Sequence, residues 1–262
     1  MIAIRKVLLP LQLATTVAAT FSTAVMVTRT WRAHLAVVYA AANRDRESTV
    51  RSVFDRLTAE HGLAVAEARP DAEAATASLA VVIGREPDIA IAHQARLADL
   101  IVVAHPEGDK EVSSSDALHA VLFDSAKPVL IAPRTAPQTI GQHICIAWNG
   151  TAESASAVVA AIPWLHRAQS TCILWSEDYQ RRGPFAPDLE QYLAAHDVIA
   201  DRAMFSPFGK IVGAGLLAAA SERVCDLLVM GAYSHSRLRQ RILGGVTRHV
   251  LEHANVPVMM HR

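Results

Sequence analysis

The chain has 262 residues, of which 52% are hydrophobic and 19% are charged, so it can bury a sizeable core and is not a disordered protein. Its 25 basic and 25 acidic residues cancel, and only 5% of its residues are aromatic. This composition excludes the strongly basic surface and the base-stacking platform with which proteins bind nucleic acid non-specifically.

The first segment of interest is a stretch of 22 uncharged residues between Lys6 and Arg29, which is long enough to cross a bilayer. Its strongly apolar part ends at Leu11, and Thr, Ser and Gln residues are mixed into the remainder. This content favours a buried strand followed by an Ala- and Thr-rich helix. We therefore expect no membrane span.

Short, continuously apolar runs recur along the rest of the chain, which is typical of strands buried on both faces of a sheet. The predicted strands cover residues 6–11, 34–39, 99–104, 128–133, 143–148, 171–175, 198–205, 226–231 and 257–260. Helical patterns lie between them, at residues 48–61, 153–165, 210–223 and 246–254. This alternation of strands and helices predicts parallel α/β units.

The chain also repeats itself. Asp99 begins an apolar run and Arg134 follows 35 residues later, whereas Asp226 begins a similar run and Arg262 follows 36 residues later. The apolar run that begins at Val7 likewise aligns with a run in the second half. Two copies of one α/β domain are therefore predicted, at 1–134 and 143–262, with residues 135–142 joining them.

The three cysteines, Cys145, Cys172 and Cys225, are widely spaced, and each lies in an apolar run. An odd number in this arrangement is not a disulfide framework, and there is no Cys-x-x-Cys pair of the kind that binds zinc. We expect reduced, buried thiols in a cytoplasmic protein.

The most informative segment runs from Gly231 to Thr247, between a predicted buried strand and a predicted helix. Gly231 would let another group approach the backbone closely, and Gly244 and Gly245 precede the unpaired N–H groups of a helix. Four arginines add positive charge: Arg237, Arg239, Arg241 and Arg248. The segment is either a phosphate cradle or an ordinary strand-to-helix turn with solvated arginines.

This segment resembles the universal stress protein family. Nucleotide-binding members of that family carry Gly, two residues, Gly, nine residues, Gly, then Ser or Thr at this place. Gly231 and Gly244 match the first and third glycines, whereas Ser234 and Gly245 depart from the pattern, and Thr247 follows two positions later. The resemblance covers both halves of the chain, although it is weaker in the first, and implies a tandem-domain member.

The fold implied by this resemblance is two tandem Rossmann-like domains of the adenine nucleotide alpha hydrolase type. Each would be a mainly parallel five-stranded sheet with helices on both faces.

The resemblance further implies that the second domain binds ATP or a related adenine nucleotide, with magnesium as a candidate companion. The phosphates would be held mainly by the backbone of Gly231, Ser234, Gly244, Gly245, Val246 and Thr247. The family places an Asp at the end of the first strand, where it contacts the nucleoside. Asn149 stands there in this chain and keeps an acceptor oxygen for a ribose hydroxyl, although Asn-Gly is also a common turn pair.

The first half lacks this pattern. Ala104 stands where the second half has Gly231, and Gln12 replaces the family's Asp. The following loop carries three acidic residues, Glu107, Asp109 and Glu111, which would repel phosphate. We expect a structural domain without a nucleotide.

Two other motifs have simpler explanations. Gly213 and Gly215 match a dinucleotide-binding fingerprint, but the acidic residue expected about twenty positions later is missing, and the resemblance places them inside a helix. His249 and His253 match a zinc-hydrolase motif without an identifiable third ligand. The sequence therefore predicts neither metal ligands nor catalytic residues.

The sequence and the resemblance together indicate a cytoplasmic stress-response protein that binds an adenine nucleotide, forms a homodimer and acts on an unknown protein partner. Without a general base or a pair of metal-binding carboxylates, we expect at most slow ATP hydrolysis. The alternative is a nucleotide-free dimerisation or interaction module with a decayed site. A weaker alternative is an ATP-using enzyme that depends on His235 and Asp178.

Overall fold

The computed structural model describes residues 4–68, 74–106, 116–232 and 245–262. They form two compact units, of which the first ends at Ala136 and the second contains the chain from Pro137 onward. In both units strands alternate with helices, and neighbouring strands pair in parallel. The predicted α/β fold is confirmed, whereas the exact domain limits stay a prediction.

Unit 1 has the strand order β3-β4-β2-β1-β5-β6. Its elements are β1 (Lys6–Pro10), α1 (Val17–Trp31), β2 (His34–Ala41), α2 (Glu47–Glu60), β3 (Ala64–Val65), β4 (Thr76–Ile83), α3 (Pro87–Ala95), β5 (Leu100–Val103), α4 (Asp116–Asp124) and β6 (Val129–Ile131). Among the described residues this unit has one strand more than the five that the resemblance implies, and the apolar runs of the sequence marked neither the two-residue β3 nor β4.

Unit 2 has the strand order β11-β10-β7-β8-β9. Its elements are β7 (His143–Ala147), α5 (Ala152–Leu165), β8 (Ser170–Trp175), α6 (Ala186–Ala195), β9 (Asp201–Met204), α7 (Val212–Glu222), β10 (Leu227–Gly231), α8 (Gly245–His253) and β11 (Val258–His261). The central strands β7 and β10 are almost wholly buried, which explains why they read as continuous apolar runs.

Helix α1 shows how the uncharged stretch near the amino terminus is used. Its threonine hydroxyls donate to backbone carbonyls four residues earlier, at 3.0 Å for Thr20, 2.8 Å for Thr23 and 2.7 Å for Thr28. These bonds satisfy the hydroxyl groups, so the three threonines can lie buried in the helix. Within the described ranges, no helix combines the length and the apolar character needed to cross a membrane.

The sequence analysis missed β4, the eight-residue partner of β2. Its first half contains Thr76 and Ser78, which interrupt the apolar pattern. Both hydroxyls lie 2.9 Å from the buried imidazole of His34, one at Nδ1 and the other at Nε2. The polar residues are therefore part of a satisfied cross-strand network, which cannot be seen from β4 alone.

The repeated aspartates have the same structural role in both units. Asp99 accepts hydrogen bonds from the backbone N–H groups of Arg5, at 2.8 Å, and Lys6, at 2.9 Å. Asp226 accepts them from Gln142, at 3.1 Å, and His143, at 2.8 Å. Each aspartate thus fixes the start of the first strand of its own unit, which explains why the repeat begins with Asp.

The three cysteines are free and buried, and all lie in unit 2. Cys145 of β7 is directly opposite Cys172 of β8, and Cys225 precedes β10. A hydrogen bond between the thiols of Cys225 and Cys145, together with burial, raises the pKa of Cys145. Burial also raises the pKa of Cys172. The predicted burial of the cysteines is confirmed, and none of the three forms a disulfide.

Candidate functional site

The direction of the chain in unit 2 reverses between β7 and β10. From β7 the chain proceeds through β8 to the edge strand β9, and it then returns to form β10 on the other side of β7. In parallel α/β sheets, ligands bind at such a switch point, beside the carboxyl ends of the two strands. Asn149 follows β7 and Gly231 ends β10, so the fold brings these two predicted residues to the same edge of the sheet, on neighbouring strands.

Gly231 is in direct contact with the first turn of α5. A Cβ atom on Gly231 would lie 2.5 Å from the nitrogen of Ser154 and 2.7 Å from the carbonyl carbon of Glu153. Both are backbone atoms that cannot rotate away, so the position requires a residue without a side chain. The sequence predicts a close approach to the backbone here, and within the described residues the approaching group is helix α5.

Asn149 is buried and forms a turn that starts α5. Its Oδ1 accepts hydrogen bonds from the Thr151 amide, at 3.2 Å, and the Thr151 hydroxyl, at 2.9 Å. Thr151 is the N-cap of α5, and its Oγ1 also accepts from Ser154 N at 3.2 Å. The acceptor oxygen expected to bind a ribose hydroxyl is thus already used twice. In the described part of the chain, the amide nitrogen of Asn149 remains available as a donor.

The loop of residues 176–185, between β8 and α6, closes on this turn. The backbone N–H of Arg181 donates to the carbonyl oxygen of Asn149 at 2.8 Å. A Cβ atom on Gly183 would lie 1.9 Å from the carbonyl oxygen of Gly150, and Gly150 itself has a φ of +77°. The sequence analysis did not identify Gly183, because the partner that requires a glycine there is 33 residues away in the chain.

The first turn of α8 is the candidate phosphate-binding element. A Cβ atom on Gly245, the first residue of α8, would meet no heavy atom of the described residues within 4 Å, so none of them fills the space beside that turn. The first N–H groups of a helix have no partner within the helix and carry its positive dipole end. Val246 is half-buried, and Thr247 is buried. These features suit an anion.

Two of the predicted phosphate contacts, Ser234 and Gly244, lie outside the described residues. Arg248 is described, and its Nε pairs with Glu252 at 2.7 Å. Part of its charge is therefore balanced within α8, which reduces the positive potential that the sequence analysis assigned to this segment.

Unit 1 has an equivalent switch point, between β1 and β5. The cavity there measures only about 10 Å³ and is lined in part by Gln12, Thr20 and Ala104. That volume holds about one water molecule. The acidic residues of the following loop lie outside the described residues. The expectation that this domain carries no nucleotide stays a prediction.

The glycines of the dinucleotide fingerprint have a packing role. Gly213 and Gly215 lie in α7, as expected, and both are buried. A Cβ atom would lie 2.7 Å from the His249 Cβ at Gly213 and 2.0 Å from the Ser206 carbonyl oxygen at Gly215. These glycines therefore let α7 approach α8 and the preceding loop.

The two histidines of the zinc-hydrolase motif stack on each other in α8. The rings of His249 and His253 lie 4.2 Å apart at an angle of 14°, and His253 Nδ1 lies 2.9 Å from the His249 carbonyl oxygen. Burial and the neighbouring His253 lower the pKa of His249. Among the described residues, no group of three His, Cys, Asp or Glu side chains could hold a metal ion.

Comparisons with known proteins bear on these observations. Residues 207–262 match the model of the Universal stress protein family. The resemblance to universal stress proteins is confirmed. The matched segment contains α7, β10, α8 and β11, and thus the candidate phosphate-binding turn. No curated protein sequence is significantly similar to this chain.

Solved structures show the same fold along the chain. A universal stress protein from Archaeoglobus fulgidus DSM 4304 superposes with a TM-score of 0.70 at 15% identity, with 98% of both chains covered. A putative universal stress protein from Pseudomonas aeruginosa UCBPP-PA14 gives a TM-score of 0.61 at 17% identity, covering 99% of this chain and 93% of the other. A protein of unknown function from Pseudomonas aeruginosa PAO1 gives 0.63 at 16% identity, covering 99% and 92%. At 15–17% identity these superpositions show a shared fold alone. A tandem pair of domains is consistent with that fold.

Proposed function

We propose that this protein is a stress-response protein whose second unit binds ATP or a related adenine nucleotide at the switch point between β7 and β10. The observation that supports the proposal is the placement of the predicted residues: Asn149 and Gly231 lie at the carboxyl ends of neighbouring strands, and α8 follows β10 in the chain. Ligands of parallel α/β sheets bind at this position.

Each group has a defined task in this proposal. The N–H groups of Gly245, Val246 and Thr247, in the first turn of α8, bind phosphate oxygens, helped by the helix dipole. The amide nitrogen of Asn149 donates to the ribose, since its oxygen is already engaged. Ser234 and Gly244, which lie outside the described residues, are the further phosphate contacts that the family resemblance implies. Magnesium would accompany the nucleotide as its counter-ion.

The substitution Gly245→Asp, with Gly245→Asn as its matched control, tests the proposal. Both side chains suit the start of a helix, and neither meets a described residue there, so neither should unfold the protein. Only Asp adds a negative charge beside the bound phosphates. Thermal unfolding is measured with ATP, AMP and GTP, with and without magnesium.

A nucleotide at a hundred times its dissociation constant stabilises the protein by about 2.7 kcal/mol, which raises the melting temperature by several degrees. We expect this shift with ATP in the native protein and in Gly245→Asn, and its loss in Gly245→Asp. A full shift in Gly245→Asp would mean that the first turn of α8 does not hold phosphate. No shift in the native protein with any nucleotide would contradict the proposed function.

The second candidate is a nucleotide-free dimerisation or interaction module. It is favoured by the packing contact that already explains Gly231 and by the turn that already uses the oxygen of Asn149. Sedimentation of the nucleotide-free protein would show a dimer in that case, and the melts would show no nucleotide effect. Steady phosphate release above the level of slow hydrolysis would instead indicate an enzyme. In either role we expect a cytoplasmic protein.

A further inference from the structure

Unit 2 contains an apolar cavity between α5 and α6. Its volume is about 260 Å³, and its lining includes Trp148, Val158, Pro184, Asp188, Leu189 and Tyr192. The described residues of the proposed nucleotide site are not part of this lining. Typical ligand pockets measure roughly 300–1,000 Å³, so this one suits a compact molecule of one or two rings.

The walls of this cavity are apolar, and the polar groups of Trp148 and Pro184 beside it already have hydrogen-bond partners. The side chains of Trp148, Val158 and Leu189 belong to the buried core of the unit, which fixes their positions. The indole nitrogen of Trp148 donates to the carbonyl oxygen of Pro184 at 3.0 Å, so neither atom needs a ligand as its partner. Water in such a cavity finds few hydrogen bonds, and an apolar ring displaces it favourably.

The lining of this cavity includes one charged side chain, Asp188. Asp188 lies at its edge, and its Oδ2 accepts a hydrogen bond from the backbone N–H of Phe185 at 2.7 Å. That bond fixes the carboxylate at the start of α6 and leaves Oδ1 available. Over the described part of the chain, Asp188 forms no ion pair with a Lys, Arg or His side chain. A carboxylate beside an apolar wall favours a cationic ligand and disfavours an anionic one.

We propose that this cavity binds a compact aromatic amine, with the ring between the exposed side chains of Val159 and Tyr192, over a floor of Trp148, Val158 and Leu189, and the ammonium group at Asp188. The ring supplies most of the affinity, because it is the part that leaves water. Asp188 is exposed, so its ion pair adds a factor of only about two to five. The charge therefore sets the preference among ligands that share the same ring.

Three indoles of different charge test this proposal: tryptamine, indole and indole-3-acetate. Each is titrated into the ¹⁵N-labelled full-length protein, and the side-chain N–H signal of Trp148 is followed by NMR, after assignment with Trp148→Phe. We expect tryptamine to bind about two- to fivefold more tightly than indole, and indole-3-acetate to bind most weakly.

Matched variants locate the binding. Ala155 lines the cavity, whereas Ala152 is an exposed residue of the same helix outside the lining, so Ala155→Leu should abolish binding and Ala152→Leu should not. Asp188→Asn keeps an oxygen for the Phe185 N–H and removes the charge, so tryptamine and indole should then bind equally. Three results would each overturn the proposal: no titration of the Trp148 signal, equal affinity for tryptamine and indole-3-acetate, or unchanged binding in Ala155→Leu.

Discussion

Replacing Gly231 by alanine measures the contact between β10 and α5. The added Cβ would lie 2.5 Å from Ser154 N, about 0.9 Å inside the 3.4 Å at which ordinary contacts begin. No side chain can relieve the overlap, because the opposing atoms are backbone atoms in a turn capped by Thr151. Overpacking costs about 1–3 kcal/mol, and we expect Gly231→Ala to lie in the upper half of that range.

Urea unfolding followed by circular dichroism gives this free energy, with Gly245→Ala as the control. At Gly245 an added Cβ would meet none of the described residues within 4 Å, so alanine should leave the protein equally stable or stabilise it by up to about 1 kcal/mol. A loss of less than about 0.5 kcal/mol in Gly231→Ala, with an unchanged m-value, would refute the packing argument. In that case Gly231→Ala could also be used to test nucleotide binding. If the substitution displaces α5, as we expect, a loss of nucleotide binding in Gly231→Ala would not identify a direct contact.

Three further changes have defined outcomes in the same assay. Asp226→Ala leaves the N–H groups of Gln142 and His143 without their acceptor and should cost about 1–3 kcal/mol, with Asp226→Asn less harmful. Thr151→Ala removes the N-cap of α5 and should cost about 1–2 kcal/mol, whereas Thr151→Ser should be nearly neutral. Burial lowers the pKa of His34, so its stabilising effect is present above about pH 6.5 and is lost as the pH falls through the lowered pKa. His34→Gln should therefore flatten the decline in unfolding free energy between about pH 7 and 5.

Each of these predictions has its own counter-result. Equal stability of Asp226→Ala and the native protein would show that water replaces the carboxylate at the start of β7. Equal losses in Thr151→Ala and Thr151→Ser would mean that the methyl group or the backbone, and not the hydroxyl, matters. A steeper pH dependence in His34→Gln would contradict the direction of the pKa shift.

Most of the fold can be predicted from hydrophobic patterning, because strands buried on both faces leave apolar runs that need no knowledge of their neighbours. Two strands of unit 1 escape this patterning: β3 has only two residues, and the polar residues that obscure β4 are satisfied by His34 on another strand. The edge strand β9 is shorter than predicted, at Asp201–Met204, because Val198, Ala200 and Phe205 are buried and apolar but lie outside the paired residues.

The site is less predictable than the fold. The spacing of glycines marks Gly231 as a place of close approach, but sequence alone does not say whether a phosphate or a helix approaches. Asn149 illustrates the same limit, because an Asn-Gly pair indicates a turn without showing which of its side-chain atoms the turn uses. Gly183 and Gly150, which touch across two loops, become informative only when both loops are seen together.

The placement of the three cysteines allows local opening of the protein to be measured by the reactivity of its own thiols. All the thiols of the protein are buried, and all lie in unit 2. An alkylating reagent added to the folded protein should therefore react slowly, and its rate should follow the opening of unit 2 alone. A ligand that protects the thiols must act on that unit, and a single cysteine added to the surface could be labelled without first removing the native ones.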